Sequence, residues 1–192
     1  MGTGPARAEY ERRLQAASDI RDHLPVLYGH AARRPGVRIL ELGVRSGNSS
    51  SAFLAALEDS PAPGCLWSID VNDPDVPGEW HGLPYWRFLR ADDLSAEALR
   101  WAPESVDVLF IDTSHEYGHT LAELRAYAPR VARGGIVLMH DTEYAFADGL
   151  HLAGQDPHGS AVGRALDAYC AEAGLTWENR PGCYGLGMVG IP

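Results

Sequence analysis

The chain contains no lysine: all 16 of its basic residues are arginine. Chemistry that needs a lysine base or a Schiff-base amine is therefore excluded. Cysteine is scarce, with Cys65, Cys170 and Cys183 odd in number and without ligand-like spacing. That argues against a disulfide scaffold or a cysteine zinc site, and for a reducing, cytoplasmic setting. No apolar run approaches the ~18 residues of a membrane span, and the opening stretch is polar, carrying Arg7, Glu9, Glu11, Arg12 and Arg13. Neither a transmembrane segment nor a secretory signal is expected. Positive charge is also short. Against 26 acidic residues the arginines leave a net charge of −10, a poor balance for gripping a phosphate backbone, so no nucleic-acid partner is expected. Internal repeats and low-complexity tracts are missing as well.

What is present is ordinary globular composition. The 192 residues, 45 % of them hydrophobic and 22 % charged, make one domain large enough to bury a core. Residues 1–34 read as one or two helices, with Leu14, Ile20, Leu24 and Leu27 on the apolar side. From there strand and helix signals alternate. Residues 37–42, 66–70, 85–89, 106–111 and 136–139 read as five strands, the fourth a near-continuous apolar run of the kind buried on both faces of a parallel sheet. Residues 51–57 read as a helix, and Ser95 caps another. Tyr117, Leu121, Leu124, Ala128 and Val131 recur at helical spacing until Gly134-Gly135, and residues 160–173 form a last helix. Residues 176–180 and 183–191 flank Pro181-Gly182 as a hairpin. Residues 142–159 read as a long loop, a candidate lid. The pattern predicts an α/β fold over residues 37–191. It is a doubly wound, Rossmann-like, seven-stranded and mostly parallel sheet with a C-terminal antiparallel hairpin and an N-terminal helical extension.

In such sheets ligands bind beyond the carboxyl ends of the strands. After the first strand, Gly43 and Gly47 allow a tight turn, and the helix amides beyond Gly47 favour an anion. Arg45 stands where a dinucleotide fingerprint needs its middle glycine, so G-x-G-x-x-G is absent. Asp70 ends the second strand, where an acid can grip both hydroxyls of a ribose; the plainer alternative is a helix cap. Turn and acid together point to an adenosine-type cofactor. Asp92 is near enough for an adenine amino group, or caps the helix at Ser95. Asp112 and Asp141 follow the fourth and fifth strands and meet at one rim. Two carboxylates without basic neighbours repel unless a cation or a proton lies between them, and oxygen ligands suit Mg²⁺. His115 and His140 border the same rim as candidate bases.

The blocks RILELGVRSGNSS, LWSID, VDVLFIDTSHEY and RGGIVLMHDT follow in order between residues 38 and 142. In them the chain resembles the class I S-adenosylmethionine-dependent methyltransferases, and most of all the branch of small-molecule O-methyltransferases acting on sugars and natural products. The resemblance implies that Glu41, Gly43 and Gly47 hold the methionine end of S-adenosylmethionine, Asp70 the ribose and Asp92 the adenine, with Ser49 and Asp112 in the same cofactor set. It implies Mg²⁺ at Asp112 and Asp141. Asp112-x-x-His115 stands where catechol-type relatives carry Asp-x-x-Lys, which gives the base role to His115, or else to His140. Two positions depart from the pattern. His140 stands where metal-dependent relatives often have an acid or another ligand, and Ser114 where sugar-modifying relatives often have a further acid.

The expected reaction is in-line attack of a small-molecule hydroxyl on the sulfonium methyl. Trp80, Trp86, Tyr144 and Phe146 either line the acceptor pocket or pack in the core. The N-terminal helices would close that pocket and build a homodimer. Three other readings stand beside this one. A NAD-dependent oxidoreductase shares the turn and the ribose acid. A non-catalytic cofactor-binding protein would keep the fold. A zinc hydrolase would use His115-Glu116-x-x-His119, a motif weakened here by Gly118 at the mouth of the helix.

Overall fold

Along β1 (Arg38–Leu42), Ile39 packs to one side while Leu40 and Leu42 pack to the other, and both sides are buried. A strand apolar on both faces is stable only between two layers of helices. The computed structural model, which describes residues 4–147 and 150–192, supplies both layers. On the Ile39 side lie α1 (Pro5–Gln15), α2 (Leu24–Ala32) and α3 (Asn48–Asp59). Their residues Tyr10, Leu24, Leu27 and Phe53 join Leu66, Phe110 and Leu138 of the sheet in one core. Phe53 meets Phe110 edge to face at 5.7 Å. On the other side α4 (Ala96–Trp101), α5 (Tyr117–Tyr127) and α6 (Ala161–Ala173) cover Leu40, Leu109 and Val137.

The remaining strands are β2 (Cys65–Asp70), β3 (Trp86–Arg90), β4 (Val106–Ile111), β5 (Val131–His140), β6 (Ala145–Ala147), β7 (Leu150–Leu152), β8 (Glu178–Arg180) and β9 (Leu186–Gly190). The seven-stranded sheet runs β3-β2-β1-β4-β5-β9-β8. Strands β1 to β5 are parallel, and β9 and β8 return antiparallel at the edge. Strand order therefore reverses between β1 and β4, the topological switch point at which such sheets open a crevice. The doubly wound sheet, the N-terminal helices and the terminal hairpin all match the expectation. No helix among the described residues is long and apolar enough to cross a membrane.

Two local readings are corrected, and one that was left open is decided. Val131, expected on the helix, opens β5, because Pro129 cannot continue α5 and the chain passes through a short 3-10 turn at Ala128–Arg130. Residues 142–159, expected as a loop, contain the two-stranded β6–β7 ribbon, though 148–149 within the expected lid lie outside the described residues. Trp80 and Trp86 are core residues, 0 % and 7 % exposed and packed edge to face at 6.0 Å. They line none of the three cavities at the strand ends.

Candidate functional site

At the switch point the chain after β1 crosses the chain after β4 so closely that a Cβ on Gly43 would collide with the Asp112 carbonyl, and Gly43 has φ +86°. Only glycine fits that crossing. The turn beyond it is held by Asp70. Its Oδ2 accepts the amides of Val44 at 2.8 Å and Arg45 at 3.0 Å, and its Oδ1 accepts the Asn72 amide at 2.8 Å. A carboxylate has about four lone-pair sites. Asp70 therefore shapes the loop first and keeps about one acceptor position for a ligand.

Of the cavities that open here, two meet at Asp112. The first, about 330 Å³, lies over the ends of β1, β2 and β4 and is lined by Gly43, Asp70, Asp92 and Asp112, with Val71, Asp93, Ser114 and His119 among its other walls. The second, about 440 Å³, is lined by Asp112, His115, Asp141, Tyr144, His151 and Tyr184. Asp112 and Arg45 belong to both, so the two cavities share a wall.

Four of the expected cofactor residues thus line the first cavity: Gly43, Asp70, Asp92 and Asp112. Glu41, Gly47 and Ser49 do not. Glu41 is fully buried, and its carboxylate accepts the hydroxyls of Ser49 at 2.7 Å, Ser50 at 2.8 Å and Ser68 at 2.6 Å. Burial pushes that carboxyl up to about 7, against the three hydroxyls that favour its charged form. The cluster ties α3 to β1 and β2. A Cβ on Gly47 would run into Val76 and Trp80.

At the shared rim His115 Nε2 stands 3.2 Å from Asp112 Oδ1 and 2.8 Å from Asp141 Oδ2. His140 donates its Nε2 hydrogen to the Cys183 carbonyl at 2.8 Å and turns Nδ1 toward Asp141 Oδ2 at 3.1 Å and Asp112 Oδ2 at 3.6 Å, off the hydrogen-bond line. Burial works to lower both imidazoles. The two carboxylates outweigh it, holding His115 up at about 9 and His140 well above its ordinary value. Burial likewise works to raise Asp112, and the two histidines hold it far below the usual carboxylate range. His140 is 2 % exposed and lines neither cavity, whereas His115 opens on the second.

One ligand atom each from Asp112, His115 and Asp141 lies within 4.8 Å of the others. Adjacent ligands on an octahedral ion with ~2.1 Å bonds stand about 3.0 Å apart, and the contacts at 3.2 and 2.8 Å sit around that spacing. The two carboxylates are the hard donors that Mg²⁺ takes, and the imidazole extends the fit to Mn²⁺ or Zn²⁺.

Tyr144 stacks edge-on with His115 at 5.3 Å and lines the second cavity as expected, while Phe146 is 61 % exposed and lines neither. His151 and Tyr184, not singled out from the sequence, complete that wall. Sequence reasoning weighed His119 only within H-E-x-x-H and gave the adenine role to Asp92 rather than its neighbour Asp93; both His119 and Asp93 line the first cavity. The His119/Glu123 spacing on α5 was the available signal. The H-E-x-x-H motif is dismantled by the fold: α5 begins at Tyr117, so His115 lies outside it with φ 56° while His119 lies within. Zinc hydrolysis through that motif has no geometric basis here.

A family model described as a methyltransferase domain matches residues 40–142. Among curated proteins none matches significantly. Solved structures sharing the fold include a methyltransferase from Podospora anserina bound to SAH, 18 % identical, covering 100 % of this chain and 90 % of that one with a TM-score of 0.62. The O-methyltransferase TomG from Streptomyces achromogenes, in complex with SAM, is 16 % identical over 99 % of this chain and 91 % of that one, with a TM-score of 0.66. The MycE methyltransferase of the mycinamycin biosynthetic pathway, in complex with Mg, SAH and mycinamycin VI, is 20 % identical over 96 % of this chain and 53 % of that one, with a TM-score of 0.64.

Proposed function

The chain belongs to the methyltransferase-domain family, and from that premise we propose that it transfers a methyl group from S-adenosylmethionine to a hydroxyl of a small molecule. The observation that carries the reading is the wall shared by the two cavities. A donor in the first and an acceptor in the second would meet at Asp112. When bound, S-adenosylmethionine supplies an electrophilic methyl carbon. Gly43 gives the donor room at the switch point, Asp70 and Asp92 face its adenosine end, and Val71 adds an exposed apolar surface. Asp70, Asp92, Asp93 and Asp112 line the first cavity against the single arginine Arg45, a balance that suits a sulfonium cation. Holding both reactants in line at one wall removes much of the entropic barrier to displacement.

His115 is the imidazole facing the acceptor cavity and would take the hydroxyl proton in its neutral form, which its value of about 9 makes the minor one near neutral pH. Asp112 and Asp141 orient that ring, and they compete with the base role by holding its proton between them. Asp112 and Asp141 would also hold a Mg²⁺ ion, which when bound lowers the pKa of an acceptor hydroxyl and favours oxygen over nitrogen or sulfur acceptors. Tyr144, His151 and Tyr184 would form the acceptor's aromatic wall.

A cytosolic setting is supported by the free thiols of Cys65, Cys170 and Cys183. A homodimer would have to use the outer, polar sides of α1 and α2, because Tyr10, Leu24 and Leu27 are buried within the chain.

The test offers S-adenosylmethionine with matched panels of hydroxyl, amine and thiol acceptors and follows S-adenosylhomocysteine release. Turnover should be confined to hydroxyl acceptors and fall at least about hundredfold in Asp141→Asn, the scale of a lost base or Lewis-acid contribution. Turnover confined to amines or thiols would overturn the O-transfer reading.

A further inference from the structure

Behind the first cavity a second group of potential ligands is assembled from two elements. Asp93 lies in the turn after β3, and His119 and Glu123 stand one turn apart on α5. One ligand atom of each lies within 4.8 Å of the others. His119 Nε2 is 3.1 Å from Asp93 Oδ1 and 3.6 Å from Glu123 Oε1. Glu123 is 0 % exposed and Asp93 7 % exposed, and the ion pairs that both make among the described residues are with this one imidazole.

The group is short of partners. Thr113 donates to Glu123 Oε1 at 2.7 Å, but Glu123 Oε2 is buried without a hydrogen-bond donor. Asp93 Oδ1 is also buried without one, because its contact with His119 lies off the hydrogen-bond line. Burying two neighbouring carboxylates around one imidazole is costly unless a further cation or a proton joins them. Burial and Glu123 together push the Asp93 carboxyl up to about 7, which agrees with that shortage.

The spacing has room for a metal ion as that cation. Ligands on a tetrahedral zinc ion with ~2.0–2.1 Å bonds stand about 3.3 Å apart. The distances of 3.1 and 3.6 Å fall on either side of that value. One imidazole and two carboxylates form a mixed nitrogen–oxygen set suited to a first-row divalent ion. Asp93 and His119 face the first cavity, which leaves a fourth position open toward it.

We propose that Asp93, His119 and Glu123 form a binding site for a zinc-class divalent metal ion in the wall of the first cavity, separate from Asp112 and Asp141. The ion would pin the turn after β3 to α5. The site stands independently of the methyl-transfer reading, since metal binding alone reads it.

The test uses the full chain, stripped with chelator and titrated with Zn²⁺ against a chromogenic indicator, with bound metal counted after dialysis. The proposal expects a Zn²⁺ equivalent that persists in Asp141→Asn and binds at least about tenfold more weakly in His119→Gln. Glu123→Gln should reproduce that weakening, and unchanged far-ultraviolet circular dichroism would show that both variants fold. Wild-type protein that holds no Zn²⁺ would overturn the proposal, as would His119→Gln that holds as much as wild type. Loss of all Zn²⁺ in Asp141→Asn would do the same.

Discussion

Arg45, His115 and Asp141 hold left-handed backbone, with φ of 53°, 56° and 65°, and all three line the second cavity. A non-glycine residue in that region costs on the order of 1 kcal/mol and persists where the surroundings dictate it. Here the strain aims side chains: it turns His115 back from the start of α5 onto Asp112 and Asp141. A different residue sets a pH limit on stability. His30 on α2 is half-buried, and burial, with Arg33 beside it, pulls its imidazole down to about 4. The unfolded chain binds that proton near pH ~6.5, so the unfolded state holds more protons between the two values. The stabilisation from keeping His30 neutral is therefore complete above the unfolded value and is lost as pH falls through the folded one. Between about pH 7 and about pH 5, wild type should lose about 1–2 kcal/mol more than His30→Gln in urea unfolding. Equal losses would contradict the depressed value.

Element by element, the buried carboxylate of Glu41 joins β1 to α3 and β2 through three serine hydroxyls, and Trp86 extends the chain to β3 by donating Nε1–H to Ser68 at 3.0 Å. Glu41→Ala leaves those hydroxyls without their acceptor and opens a void, so unfolding should become about 3 kcal/mol easier. A loss within about 0.5 kcal/mol in a denaturant titration would show that the network does not tie the elements. The five parallel strands and the terminal hairpin are legible in the sequence because their apolar runs are short and bounded by turn residues. The rim acids Asp112 and Asp141 are legible for a related reason: each directly follows a buried strand. The β6–β7 ribbon is not, since three-residue strands carry too little alternation to read. Nor is the environment of Trp80, because a large aromatic reads alike in a core and in a pocket wall. Glu41 looked like a ligand-facing acid, and only the packing of α3 shows its oxygens consumed. Asp93 and His119 lie far apart in sequence and meet only once β3 and α5 are packed on the same sheet.

For the molecule as a whole, the reversal of strand order between β1 and β4 decides where ligands go. It places the Gly43 turn against the Asp112 carbonyl and lets two cavities share one wall. The account depends on the first of these cavities accepting the methyl donor. Calorimetric titration of the purified chain with S-adenosylhomocysteine, with NAD as the control, tests that most directly. The account predicts micromolar binding of S-adenosylhomocysteine, no heat from NAD, and at least about tenfold weaker binding in Asp70→Asn, which disturbs both the loop and the remaining acceptor position. Binding of NAD with no heat from S-adenosylhomocysteine would contradict it.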